Sequence, residues 1–354
     1  MSTAASSSAM SRRLPPRTVM AAGCGLLLFA FALGASSGAY AISSAQLWQV
    51  LVDAWQGVVE PTPQHLVFMN IRLPRLVLGI AAGCGLGMAG ALMQGLFRNP
   101  LADPGLIGIS SGAALAAGIT IVLGAWLWPM LPRTLGSWTL VSMAFGGGFL
   151  VTMLIYTLSR SEGGTRMALM LLAGIAINAL AGAGLGLLSV MATDEQLRSL
   201  QFWLLGSLGG ARWSAVMLVG VVVLGACAAA LTLAAPLNAI ALGESQAALL
   251  GVDVEKVKRR AILVTAFAVG SVTATTGIIG FIGLIAPHWV RMIAGPDHRI
   301  VLPASGLLGA ALVLAADTVA RTIVAPAELP LGVLTAFIGV PMFLLMLRHY
   351  RNRI

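Results

Sequence analysis

The chain has 354 residues, 58% of them hydrophobic and 9% charged, and its 21 Lys and Arg against 12 Asp and Glu leave a formal charge of +9. A mean hydropathy of +0.93 and repeated uncharged runs of about 20 residues exclude a soluble domain with a large core and describe an all-α polytopic membrane protein. The basic residues lie beside the apolar runs, which fits the positive-inside bias and argues against nucleic acid as a partner.

Ten spans can be drawn, at 18–40, 76–97, 106–128, 137–159, 167–191, 213–235, 261–277, 278–293, 301–320 and 330–347. The first has the basic flank and "GAYA" ending of a secretory signal, but it is long enough to cross a bilayer and is read as a transmembrane helix. The seventh and eighth are one apolar stretch broken around Gly277 and Gly280. No polar stretch reaches the roughly 40 residues a marginal independent domain needs. Residues 1–354 are therefore one membrane domain, with 1–17 as a cytoplasmic tail. With the N-terminus inside, fifteen Lys and Arg fall on the cytoplasmic side and six outside, so both termini are cytoplasmic.

In chain order, "IRLPR" places Arg72 and Arg75 at the outer end of the second span, and Arg321 lies in another outer loop. Interface anchoring would explain them; three guanidinium forks facing outward would also pair with carboxylates of an incoming protein. Gly79, Gly83 and Gly87 repeat every four residues, as do Gly174, Asn178 and Gly182, and small residues at that spacing let helix backbones approach closely in lipid. Between them, "RNPLADPG" at 98–105 uses two prolines to make a rigid cytoplasmic turn, with Asn99 and Leu101 placed to form a constriction. Asn178 is the clearest polar side chain deep in a span, suited to helix–helix hydrogen bonding or to lining a path.

Cys24, Cys84 and Cys227 sit singly in apolar runs and read as packing residues, and the four histidines show no ligand spacing, so no metal site and no catalytic residue is expected. Asp317 lies near the outer end of its span, within reach of water or Arg321. An ion-coupled secondary transporter would bury carboxylates or histidines near mid-membrane, and an intramembrane enzyme would need a nucleophile or metal set; neither pattern stands out.

The stretch "ALGESQAALLGVDVEKVKRR", 241–260, carries seven charges in an otherwise apolar chain. It also has an apolar stripe of Leu242, Ala247, Leu249, Leu250, Val252 and Val254, punctuated by Gly243 and Gly251. Asp253 is placed to cap a second short helix that runs into Lys256, Lys258, Arg259 and Arg260. A cytoplasmic helix pair with an apolar stripe calls for a partner protein.

Five segments together resemble the FecCD/BtuC-like family of permease subunits in binding-protein-dependent ABC importers for iron-siderophores, vitamin B12 and haem. They are "RLPR" at 72–75, "GALMQGLFRNPLADPGLIGISSGA" at 90–113, "LGESQAALLGV" at 242–252, "GIIGFIGLIAPHWVR" at 277–291 and "AELPLGVLTAFIGVPMF" at 327–343. The resemblance implies a BtuC-like type II ABC importer permease in a bacterial inner membrane, homodimeric, with its pathway partly lined by the fifth span, here Gly174, Asn178 and Gly182. It implies a cytoplasmic gate at Asn99 and Leu101 and a coupling loop at 236–260 in which Gly243, Glu244, Ala248, Leu250, Gly251 and Val252 meet the ATPase. It implies docking of a periplasmic binding protein at Arg72, Arg75 and Arg321, and a structural role for "ELP" at 328–330. Two ATP-binding cassette subunits would carry ATP and Mg, and the permease would hold no permanent cofactor. "LLAGIAINAL" and "FWLLGSLGGARW" are most similar to haem-importing members, which makes haem the expected cargo ahead of ferric siderophore or cobalamin.

Overall fold

The computed structural model describes residues 14–38, 40, 42–57, 62–130, 134–161, 164–324 and 327–351. Most of the expected tail 1–17, and Arg12, Arg13, Arg133 and Arg353 of the charge balance, lie outside the described residues. Fourteen described helices follow one another: α1 (Pro16–Ser36), α2 (Ser44–Gln56), α3 (Pro63–Leu96), α4 (Ile109–Leu127), α5 (Trp138–Leu158), α6 (Met167–Met191) and α7 (Asp194–Leu205), then α8 (Trp213–Thr232), α9 (Ala234–Ala241), α10 (Glu244–Leu249), α11 (Val254–Thr276), α12 (Ile282–Ala294), α13 (His298–Ala320) and α14 (Leu331–Arg351). A two-residue β-hairpin, β1 (Arg160–Ser161) with β2 (Gly164–Thr165), joins α5 to α6.

Ten of these helices stand at the ten expected spans. Eight are long and apolar enough to cross a bilayer by themselves. The other two, α11 and α12, are the pair the apolar stretch left ambiguous. Gly277, with φ of 72°, caps α11, and the chain is irregular until Phe281 starts α12 from a left-handed backbone at φ 66°. α11 starts earlier than expected, at Val254, so the cationic run 256–260 is not a separate helix. It is the first turns of the seventh span itself.

The bundle is centred on α3, whose apolar window is 78% buried, and on α13, at 67%. In lipid no hydrophobic drive holds helices together, so close van der Waals packing must do it. The glycine stripe on α3 serves this purpose: a side chain at Gly83 would overlap the Gly309 carbonyl of α13, and one at Gly87 the Ser305 carbonyl. Gly90 meets α12 in the same way at the Gly283 carbonyl. At the opposite extreme, α6 and α14 are only 17% and 22% buried, and Leu172, Ile175, Leu180, Leu187, Phe337 and Leu344 project from them.

Candidate functional site

Three regions hold the residues singled out in the sequence. At the outer end, Arg72, Arg75 and Arg321 are brought together around one pocket of about 240 Å³, which Glu328 also lines. They do not face outward, as expected of forks awaiting a partner: the three are only 4%, 8% and 7% exposed. The reason lies in the end of α1, whose last carbonyls have no partner within the helix. Arg72 donates to the carbonyls of Ala35 (2.8 Å) and Tyr40, and Arg321 to those of Ser37 (2.8 Å) and Gly34. Arg75 grips Asp317 through Nη2 to Oδ1 at 2.9 Å and Nε to Oδ2 at 3.0 Å, and reaches Glu328 at 2.8 Å. Asp317 is 1% exposed, so it pairs with Arg75 and, at 3.5 Å, Arg321 instead of reaching water. A π turn at Phe68–Arg72, within α3, precedes the cluster and sets the direction of Arg72.

The middle region holds the residues expected to form the pathway and the gate. Gly174 packs on the Leu106 carbonyl, and the Ser111 hydroxyl lies 2.5 Å from Asn178 Oδ1, tying α6 to α4. Gly182 faces open space. In the turn before α4, Arg98 takes a left-handed backbone (φ 49°), and Asn99 turns its side chain onto its own loop, accepting from the Leu101 amide at 2.9 Å. Asp103 caps a 3₁₀ turn, Pro104–Ile107, through the Gly105 amide at 2.7 Å. Leu101 lines a cavity of about 280 Å³ with Leu106, Phe281, Leu284 and Phe343. Phe281 also borders a larger cavity of about 650 Å³, whose lining includes Leu204, Leu205, Ile278, Val333 and Phe337. Phe281 was not singled out; its position directly after the break at Gly277 and Gly280 was the available signal.

The cytoplasmic region is 236–260. Gly243, with φ of 127°, turns the chain into α10, and Gly251, with φ of 82°, turns it out again, so these two glycines set the angle as their spacing suggested. Between them Ala247 is buried, while Leu249 and Leu250 are 88% and 66% exposed at the tip, and Ala248 is exposed beside them. Val252 folds back onto the core. Asp253 caps α11 by accepting from the Lys256 amide at 3.0 Å, and its carboxyl is held below the usual carboxylate range by the Lys256 ammonium and amide. Glu244 does not point freely at a partner: it accepts from Lys258 Nζ at 2.8 Å. A second set of bonds anchors the loop from the other side. Asn238 accepts from the His298 amide at 3.0 Å and donates to Asp297 at 2.7 Å, and the His298 ring lies 3.3 Å from Arg291, which also bonds Gln94 at the end of α3.

Among the described residues, no three of His, Cys, Asp and Glu come together in a group able to hold a metal. Cys84 and Cys227 are near each other, with sulfurs 3.7 Å apart on α3 and α8, an approach their isolated positions in the sequence gave no hint of.

Comparison with known proteins places this geometry. The family model described as the FecCD transport family matches residues 26–349. The hemin transport system permease protein HmuU of Yersinia pestis is 44% identical over 97% of this chain and 99% of its own length. The cobalamin import system permease protein BtuC of Halobacterium salinarum is 38% identical over 88% of this chain and 82% of its own. Among solved structures, one described as an inward-facing conformation of an ABC transporter assigned to the metal-chelate type superposes with a TM-score of 0.81 at 30% identity, covering 95% of this chain and all of the other. The chain belongs to the FecCD transport family: it is a multi-pass permease subunit of an ABC importer, a conduit that works with an ATPase and a binding protein and is not itself an enzyme.

Proposed function

We propose that this permease carries haem across a bacterial inner membrane. The observation that carries the reading is the near end-to-end match to the hemin permease, 44% identical over 97% of this chain against 38% over 88% for the cobalamin permease. The cavity of about 650 Å³ supports it, since its walls are Leu, Ile, Val, Phe, Ala, Pro and Gly, suited to the apolar face of a flat macrocycle. None of its lining residues is a His, Tyr, Cys or Met that would hold the iron and slow release.

In this reading two copies meet across a two-fold axis, two ATP-binding cassette subunits grip the inner face at Gly243, Glu244, Ala248, Leu250, Gly251 and Val252, and a periplasmic haem-binding protein delivers the cargo. ATP and Mg stay on the ATPase. Asn178, Gly174 and Gly182 border the path, and Asn99 and Leu101 form its cytoplasmic gate. Docking of the binding protein falls to the rim of the outer arginine cluster, where Glu328 is the half-exposed member.

The test is uptake by the purified complex in vesicles, with haem competed against a ferric siderophore and cobalamin. ATP-dependent haem accumulation that neither competitor reduces is expected. Preferential uptake of cobalamin or siderophore would replace haem as the cargo, and uptake driven by an ion gradient without ATP would overturn the mechanism.

A further inference from the structure

The segment proposed to meet the ATPase is bonded to the start of α6 through a single buried lysine. Lys258, on the first turns of α11, has a side chain only 3% exposed. An ammonium has three protons and no means of accepting, so a buried one needs three acceptors. Lys258 has all three: Glu244 Oε2 at 2.8 Å, Glu255 Oε1 at 3.2 Å and the Thr165 carbonyl at 2.8 Å. Each comes from a different element, respectively α10, α11 itself and β2.

Thr165 is held as completely from its own side. Its amide donates to Glu255 Oε1 at 2.9 Å and its hydroxyl to Glu255 Oε2 at 2.7 Å, while its carbonyl takes the Lys258 proton. Every polar group of this buried residue is therefore engaged by α11. The neighbouring Gly164, at φ of 101°, leaves room for the carboxylate, since a Cβ there would sit 2.7 Å from Glu255 Oε1. One residue, Arg166, separates Thr165 from α6, and its amide bonds the Ser159 carbonyl at 3.0 Å, so the hairpin and the helix start form a tight unit.

We infer that Lys258 is a positioning residue for transport, a three-way clamp that passes displacement of α10 to the N-terminus of α6. The clamp rests on the reading that the ATPase contacts 243–252. It adds a path to α6 that does not run through the membrane-buried length of α11. The cluster is charge-assisted, dry on the lysine side and wet on the carboxylate side, with Glu244 and Glu255 each 43% exposed. Such bonds are shorter and roughly twice as strong as neutral ones. The carboxylates stay hydrated when the cation is removed, so Lys258→Met has a route to a folded protein.

The experiment uses the full complex in nanodiscs, in a background lacking Cys24, Cys84 and Cys227. Spin labels are placed at Ser245 on α10 and Ala168 on α6, each paired with a reference label at Arg299. Nucleotide binding is expected to shift both distances in the unsubstituted complex. In Lys258→Met the Ser245 shift should persist while the Ala168 shift falls at least threefold. ATP hydrolysis should stay within twofold, and the ATP spent per haem transported should rise at least tenfold. Lys258→Arg should restore the Ala168 shift. If Lys258→Met does not assemble, Lys258→Ala removes the same three bonds and leaves a gap that water can enter from the hydrated carboxylate side to reach the Thr165 carbonyl, with the same expectation. An undiminished Ala168 shift in either variant overturns the clamp. A Ser245 label that does not move even in the unsubstituted complex overturns the reading beneath it, namely ATPase contact at 243–252.

Discussion

Arg75 and Asp317 show how much one ion pair is asked to do at the outer edge of the bundle. The carboxylate is 1% exposed and accepts two parallel bonds from the guanidinium. Removing one partner strands a buried charge, which costs about 3–5 kcal/mol. Arg75→Met is therefore expected to lower the thermal stability of the purified permease sharply and independently of salt, as followed by unfolding in detergent. A loss confined to binding-protein affinity and relieved by changing the ionic strength would instead return Arg75 to a docking role. The arginines illustrate what one-dimensional reading misses. Their spacing and side of the membrane were legible, and so was their grouping as three of the few outer cations. Their direction was not, because it depends on the carbonyls ending α1, which lie 36 and 37 residues before Arg72 in sequence.

At the scale of elements, the two small-residue stripes look alike in sequence and separate in the structure. Gly83 lies backbone to backbone against Gly309, so Gly83→Val should push α3 from α13 and cost at least about 2 kcal/mol. Gly182 has nothing within contact of an added Cβ, so Gly182→Ala should leave the melting temperature unchanged. Thermal unfolding of the two variants side by side checks both. Periodicity reveals that a helix face is small, and only the packed partner says whether that face is filled. The tip of α10 makes the complementary case. Leu249 and Leu250 contribute almost nothing to the permease's own core, being 88% and 66% exposed. Leu249→Asp with Leu250→Asp should leave the fold intact while weakening ATPase binding at least tenfold, measured by titrating the ATPase onto the detergent-purified permease. Here the sequence was informative about the loop's build, since two glycines and an apolar stripe in a charged segment marked the short turn whose leucines the structure leaves uncovered. What it concealed was that Lys256 to Arg260 continue into a membrane span, because a cationic run reads as the end of a solvated segment.

The molecule as a whole leaves three of its described spans largely uncovered, α6 at 17% and α1 and α14 at 22% buried. Lipid would satisfy such faces, and so would a second copy, which is the arrangement proposed for transport. Cysteines introduced singly at Leu180 and Phe337, 65% and 75% exposed, are expected to cross-link between copies in vesicles. Phe337→Glu should weaken that association. Cross-linking at neither position, with the complex otherwise active, would place the two-fold axis elsewhere. The number and order of the spans were legible from hydropathy alone. How they assemble was not, since apolar residues facing lipid and those facing a neighbouring helix have the same composition. One feature of the assembly has mechanical force. α11 runs unbroken for 23 residues, about 34 Å, from the cytoplasmic surface to Gly277. Its far end is latched where the Ser207 amide donates to the Thr276 carbonyl at 2.7 Å, beside the walls of the larger cavity. A tilt of about 5° at one end of a rod that long moves the other by about 3 Å. In the proposed import cycle, a push on the cytoplasmic end of this rod would thus be felt at the wall of the larger cavity, with no separate signal needed across the bilayer.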